Sequence, residues 1–194
     1  MNRELIFATS NLNKVAEIQK MVPPGFSIST MKAAGFDNEI EEPYFTLEEN
    51  SRHKAVQLFE TLHKNCFAED TGLEVTSLDG QPGALSARFA GDERNDLLNI
   101  QKLLGLLSDT KDRTARFKTV ITLILNGKEF QFVGTCEGSI ATSLKGENGF
   151  GYDPVFLPEG QSRSFAEMTM EEKNHFSHRK KAFLKMIAFL NTLS

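Results

Sequence analysis

Cys66-Phe67-Ala68-Glu69-Asp70-Thr71-Gly72-Leu73 runs apolar residues into two adjacent carboxylates, a hydroxyl and a glycine. The residues that follow, Leu73-Glu74-Val75-Thr76-Ser77-Leu78, alternate like a strand. A short buried strand ending in Glu69-Asp70 carries negative charge to the edge of a sheet, where open α/β sheets place ligands. Carboxylates are costly to bury unpaired. The pair therefore reads either as a site, for an oxygen-ligated divalent cation or a general base, or as two solvated acids in a turn. Taken alone, the stretch leaves both readings open.

Upstream, Thr46-Leu47-Glu48-Glu49 is a capping box, and the helix it opens is expected to continue to about Lys64. Leu47, Ala55, Leu58, Phe59 and Leu62 form its apolar stripe, with Asn50 and Lys54 on one polar face. Earlier still, residues 4–9 read as a first buried strand. That strand passes through Thr9-Ser10-Asn11-Leu12-Asn13-Lys14 into a helix bearing Val15, Ile18, Met21 and Val22, stopped by Pro23 and Pro24. Residues 26–31 make a second strand. The order strand, helix, strand, helix, strand argues for an α/β sandwich. A strand–turn–helix junction can aim backbone N–H groups at an anion. Lys14 near a helix start opposes the macrodipole, a conflict that an anionic ligand resolves. An ordinary Asn or Ser cap beside a solvated lysine accounts for the same residues. Residues 33–44 carry Asp37, Glu39, Glu41 and Glu42, and read as a solvated acidic loop or as one that supplies a metal ligand.

Downstream, Asp79-Gly80-Gln81-Pro82-Gly83 is a turn and residues 86–91 an exposed segment. Asp92 is placed as the cap of a helix bearing Leu97, Leu98, Ile100, Leu103 and Leu104. Two β-type runs, residues 116–125 and 129–140, flank Asn126-Gly127, a hairpin signal that makes the sheet mixed. In residues 145–154, glycines permit close backbone approach to a ligand. Phe150 and Tyr152 offer aromatic faces there and Asp153 an acceptor, as a flat heterocycle would require; a Gly-rich turn with one core aromatic competes. Lys173, His178 and Arg179 suit phosphate or a carbonyl-bearing base, or a plain basic surface before a C-terminal helix with Ala182, Phe183, Met186, Ile187 and Leu190 inward.

The totals narrow the classes. At 194 residues and 40% hydrophobic, the chain can bury a sizeable core as one domain, 1–194, or as two closely joined lobes. A net charge of -4 gives no reason to expect a nucleic-acid polymer as partner, while a small anion needs only local cations. The two cysteines, Cys66 and Cys136, lie far apart in strand-like surroundings and read as buried free thiols. No apolar run suggests a signal peptide or a membrane span, so a cytoplasmic location is expected. The P-loop, the dinucleotide fingerprint and the protein-kinase motifs are all missing.

Together, cations and N–H groups suit a polyphosphate, carboxylates suit Mg²⁺, and aromatics with an aspartate suit a base: a nucleotide polyphosphate site with hydrolytic potential. At this point the chain resembles the inosine triphosphate pyrophosphatase family, the non-canonical purine nucleoside triphosphate pyrophosphatases. The resemblance runs nearly end to end and in the same order. It comprises Thr9-x-Asn11-x-x-Lys14, Glu41-Glu42, Glu49-Asn50 and Glu69-Asp70-Thr71-Gly72-Leu73. Pro82-Gly83, Ser86-Ala87-Arg88-Phe89, Gly149-Phe150-Gly151-Tyr152-Asp153-Pro154, Glu172-Lys173 and Ser177-His178-Arg179 complete it.

The resemblance implies an α/β fold with an elongated mixed β-sheet flanked by helices, in two lobes with a central active-site cleft, usually as a homodimer. It implies Mg²⁺-dependent hydrolysis of dITP/ITP and XTP/dXTP to the monophosphate and pyrophosphate. By matching position, Thr9, Ser10, Asn11, Leu12, Asn13 and Lys14 would hold the triphosphate. Asp70 would be the catalytic carboxylate and would share Mg²⁺ with Glu41. Thr71 would touch substrate; Phe150, Gly151, Tyr152 and Asp153 would hold the purine; Lys173, His178 and Arg179 would complete the pocket. Ser10 stands where the family usually has Gly or Asn, and Glu69 where bacterial members commonly have aspartate. Glu42 stands beside Glu41 as an alternative ligand, and Glu69 beside Asp70.

Overall fold

A computed structural model of the chain describes residues 3–9 and 12–193. The elements run β1 (Arg3–Phe7), α1 (Leu12–Gln19), β2 (Phe26–Thr30), α2 (Leu47–Leu62), β3 (Cys66–Val75), β4 (Pro82–Gly83) and α3 (Asp96–Leu106). They continue with β5 (Thr114–Leu125), β6 (Lys128–Ile140), β7 (Phe156–Pro158), α4 (Met170–Phe176) and α5 (His178–Asn191). Seven strands form one mixed sheet in the order β2-β1-β3-β5-β6-β7, with β4 beside β3. β1 pairs parallel with β2 and β3, while β4 on β3 and β7 on β6 are antiparallel. The turn joining β5 to β6 has Asn126 at φ 52° and Gly127 at φ 75°. Two successive left-handed residues match the right-handed twist of the strands they connect.

The chain divides into two compact units. The first comprises residues 3–70, 119–134 and 181–193 of those described. Its central strand segments, residues 5–7, 66–68 and 119–125, are buried on both faces and read as near-continuous apolar runs, whereas β2 alternates. Leu5 and Phe7 of β1, Phe67 of β3 and Ile121 and Leu123 of β5 pack with Ala182, Phe183 and Met186 of α5 and with Ile18 of α1. The residues between them in sequence, Ile6, Cys66, Ala68 and Ile124, turn to the other face and meet Ala55 and Leu58 of α2. Phe7 and Phe67 stack with centroids 4.4 Å apart.

The second unit comprises residues 71–118 and 135–180. Its core joins Leu73 and Val75 of β3, Ile100 and Leu103 of α3, Cys136 and Ile140 of β6, and Tyr152, Val155, Phe156 and Phe165. Among the described residues no helix is long and apolar enough to cross a membrane. Both cysteines are free and buried, as expected.

Four local expectations change. β3 does not end at Asp70 but runs on to Val75, which places the two acids mid-strand and buried. α1 stops at Gln19, before Met21 and Val22. The cap of α3 is Asn95, whose side chain accepts the Leu98 N–H at 3.1 Å, and not Asp92. The segment around residues 86–91 is not wholly exposed, since Phe89 is buried. A short helix, α4, also appears where none was read. Its capping box is complete, with Thr169 Oγ1 accepting the Glu172 N–H and the Glu172 carboxylate accepting the Thr169 N–H.

Candidate active site

In the first unit the chemistry gathers on the α2 face of β3. Side chains alternate along a strand. Cys66 and Ala68 face α2, so Asp70 does too, and Glu69 turns to the face that Phe67 shares with α5. Helical spacing completes the arrangement. Leu47, Asn50, Ser51, Lys54, Ala55 and Leu58 make the buried stripe of α2, so its N-terminal half buries polar groups where apolar ones are usual. Asn50 and Lys54, read as a polar face, are on the inward side.

Lys54 Nζ donates to Asp70 Oδ1 at 3.0 Å and to Glu42 Oε1 at 2.6 Å. Lys54 and Asp70 are each 8% exposed. The Asn50 amide clamps the loop that carries Glu42: its Oδ1 accepts the Tyr44 N–H at 2.9 Å and its Nδ2 donates to the Tyr44 carbonyl at 3.0 Å. Ser51 Oγ and Thr122 Oγ1 are hydrogen-bonded at 2.8 Å beneath. Asp70 Oδ2 is buried and makes no hydrogen bond. Such a group costs about 1–3 kcal/mol unless something else takes the lone pairs.

The electrostatics follow from burial. Desolvation raises the Asp70 carboxyl to about 6, with the Glu42 charge adding to the rise and Lys54 opposing it. Burial works against the Lys54 ammonium, but Asp70 and Glu42 together outweigh it and hold its pKa above the ordinary lysine value. Cys66, buried on the same face, is pushed up to about 12 by desolvation and is no nucleophile at neutral pH.

Thr9 follows β1 and its N–H bonds the Phe7 carbonyl at 2.7 Å. Leu12 opens α1 and is 72% exposed. Ser10 and Asn11 lie outside the described residues, as do the side chains of Asn13 and Lys14. Glu41 is exposed, whereas its neighbour Glu42 reaches Lys54.

In the second unit, residues 149–153 form a turn with Gly149 at φ 85° and Gly151 at φ 58°. A Cβ at Gly149 would run into the Asp153 carboxylate, so only glycine fits there. Asp153 is 3% exposed, and its Oδ2 accepts the Phe150 N–H at 3.0 Å and an ion pair from Lys173 Nζ. The same ammonium lies 4.7 Å from the Phe150 ring centroid and 5.2 Å from that of Phe165. Phe150 is 69% exposed, a large aromatic face offered to solvent.

Tyr152 points the other way. It is buried, its hydroxyl donates to the Ser86 carbonyl at 2.9 Å, and burial raises its pKa. Tyr152 is therefore a core residue and offers no aromatic face to a ligand. His178 opens α5 with its imidazole stacked on Phe117, centroids 5.0 Å apart and planes 11° from parallel. Phe117 in turn stacks on Phe165, 6.0 Å away, so His178 and Lys173 flank one aromatic cluster. Thr71, beside Asp70 in β3, and Arg179, beside His178, are both half-buried.

Two members of the buried polar cluster escaped the sequence reading: Lys54, seen only as part of a helix face, and Asn50. The signal available was the stripe itself, since residues 47, 51, 54 and 58 share one face with the polar members at its N-terminal end. Among the described residues no three His, Cys, Asp or Glu side chains converge as a ready metal cage. Mg²⁺ does not need one, because it is commonly held by one or two carboxylates and substrate phosphates. The partnerless Asp70 Oδ2 is a hard oxygen donor of that kind, so the residues present fit the ion.

A family model for the Ham1 family matches residues 5–189. A protein of Christiangramia forsetii named dITP/XTP pyrophosphatase is 48% identical over 188 residues, covering 97% of this chain and 99% of its own. One of Bacillus subtilis with the same name is 40% identical over 192 residues, covering 97% of each. The solved structure of the Staphylococcus aureus Ham1 protein superposes with a TM-score of 0.93 at 36% identity, over 99% of this chain and 100% of that one. That of a HAM1 protein from Coxiella burnetii gives 0.91 at 34% identity, over 98% and 99%. With a match over nearly its whole length, in sequence and in fold, the chain belongs to the Ham1 family.

Proposed function

We propose that this protein hydrolyses non-canonical purine nucleoside triphosphates, dITP/ITP and XTP/dXTP, to the monophosphate and pyrophosphate. The relatives named above bear the name of that activity. The observation that carries the reading on this chain is the buried Lys54 between Asp70 and Glu42, with the second Asp70 oxygen left open.

Asp70 orients and deprotonates the attacking water. A carboxylate raised to about 6 is a better base than an ordinary aspartate and is still ionised at neutral pH. Lys54 holds Asp70 and Glu42 in register and offsets their mutual repulsion. Thr9 to Lys14 receive the phosphates at the start of α1, as helix N-termini do. Asp70 and Glu41 would hold Mg²⁺; of the adjacent pair Glu41-Glu42, Glu42 is committed to Lys54 while Glu41 is exposed. When bound, the ion neutralises charge on the phosphate oxygens.

The Phe150 face stacks on the purine, with Asp153 and Lys173 fixing the turn that presents it, and Thr71 completes the contacts. His178 or Arg179 donates to a 6-keto oxygen. A 6-amino group would leave such a donor unpaired, a discrimination that buried polar sites make large. Tyr152 supports the turn from within the core. A homodimer in the cytoplasm is part of the same reading. The homodimer is supported by the family resemblance.

Incubating purified protein with ITP and Mg²⁺, then separating the products, tests the chemistry. The expected products are IMP and pyrophosphate, with the reaction suppressed by EDTA. IDP and orthophosphate would overturn the assignment.

A further inference from the structure

We infer that Asp96, at the start of α3, is a positioning residue that sets the turn presenting Phe150, and through it the affinity for the base. The inference rests on the reading of residues 149–153 as the base-holding turn. Two successive amides of that turn are each taken by a carboxylate. The Phe150 N–H goes to Asp153 Oδ2 at 3.0 Å, from within the core. The Gly151 N–H goes to Asp96 Oδ2 at 2.6 Å, from the surface. Hydrogen bonds to an ionised acceptor are the shorter and stronger kind.

Gly151 sits at φ 58° and Gly149 at φ 85°, so glycine backbone, free of a Cβ, lies on both sides of Phe150. Without fixed points such a turn samples many conformations, and a ring that is 69% exposed samples them with it. The core side already holds Phe150 through its own N–H. Asp96 fixes the next peptide, and with it the direction in which the ring leaves the turn.

The tether is anchored to a rigid support. Asp96 is the first residue of α3, where a negative side chain suits the helix dipole. α3 is itself pinned: Asn95 caps it, Ile100 and Leu103 are buried in the core, and the Asn99 amide bonds the backbone of Ala90 and Ala87 at 2.7 and 3.1 Å. The orientation of the Gly151 peptide thus depends on one carboxylate that need not touch substrate.

The test is steady-state kinetics with ITP and Mg²⁺ on the unsubstituted protein, Asp96→Ala and Asp96→Asn, with thermal melting of each. The alanine variant should raise KM roughly tenfold, about the worth of one charge-assisted hydrogen bond, with kcat within about twofold and melting little changed, because the bond is exposed. The asparagine variant retains an acceptor oxygen and should recover part of the affinity. An unmoved KM in Asp96→Ala, or a fall in kcat at constant KM, overturns the inference while leaving the proposed function standing. Failure of the unsubstituted protein to turn over ITP would remove the proposed function and this inference together.

Discussion

Lys54 and Asp70 state the account at its smallest scale. Each is 8% exposed, and burial acts on the two in opposite directions: against the ammonium, which the acids then rescue, and against the carboxylate ion, which is raised to about 6. With the ionised Asp70 as the proposed base, the rate should fall as pH drops through about 6; a profile flat to pH 5 would exclude Asp70 from that role. Stability runs the other way. The folded carboxyl sits near 6 against 3.8 for an ordinary aspartate, so the folded state binds the proton more tightly. Stability from this group is present below about 4 and is lost as pH rises through about 6. Asp70→Asn should therefore lose orders of magnitude in rate yet melt no lower than the parent at pH 7, as parallel activity and melting curves would show. Lys54→Met should do the reverse. It strands two carboxylates, costs roughly 3–5 kcal/mol at neutral pH, and moves the acid limb of the rate profile upward; an unchanged melting temperature would contradict the bridging role.

Among the elements, α2 and β3 decide where the chemistry lies, and they show what a sequence reveals and what it hides. The α/β order, the Asn126-Gly127 hairpin, the Thr46 cap and the inward face of α5 were legible because each is a local or periodic signal. β3 was cut short at Asp70 because an acid pair in a strand is unfavourable on its own. The partner that makes it tolerable, Lys54, arrives from another element, and no local window contains it. Periodicity likewise placed Asn50 and Lys54 on one face of α2 without saying that this face was the buried one. Tyr152 was read as a ligand-facing aromatic because its hydrogen-bond partner, Ser86, lies 66 residues away. The Asn50 clamp on Tyr44 is an element-level device, since it ties the acidic loop to α2. Asn50→Ala should cost about 1–3 kcal/mol by unpairing two backbone groups and lower activity by releasing Glu42. Chemical denaturation and ITP turnover measured together would show it, and a loss of stability alone would mean that the clamp serves the fold only.

For the whole molecule, family membership came within reach of the sequence because many weak motifs recur in one order, although no single one is decisive. Each of the two units has its own core, and each holds one of the clusters on which the proposed function rests: Asp70, Lys54 and Glu42 in the first, Phe150, Asp153 and Lys173 in the second. The central claim is that this chemistry serves purines with a keto group at position 6. Pyrophosphate release from ITP, dITP, XTP and ATP at equal concentration with Mg²⁺ tests it most directly. The account predicts turnover of the first three at least about a hundredfold above ATP, a floor beneath the roughly 10⁴-fold reached when a mismatched substrate leaves a buried polar group unpaired. Equal rates on ITP and ATP would contradict it.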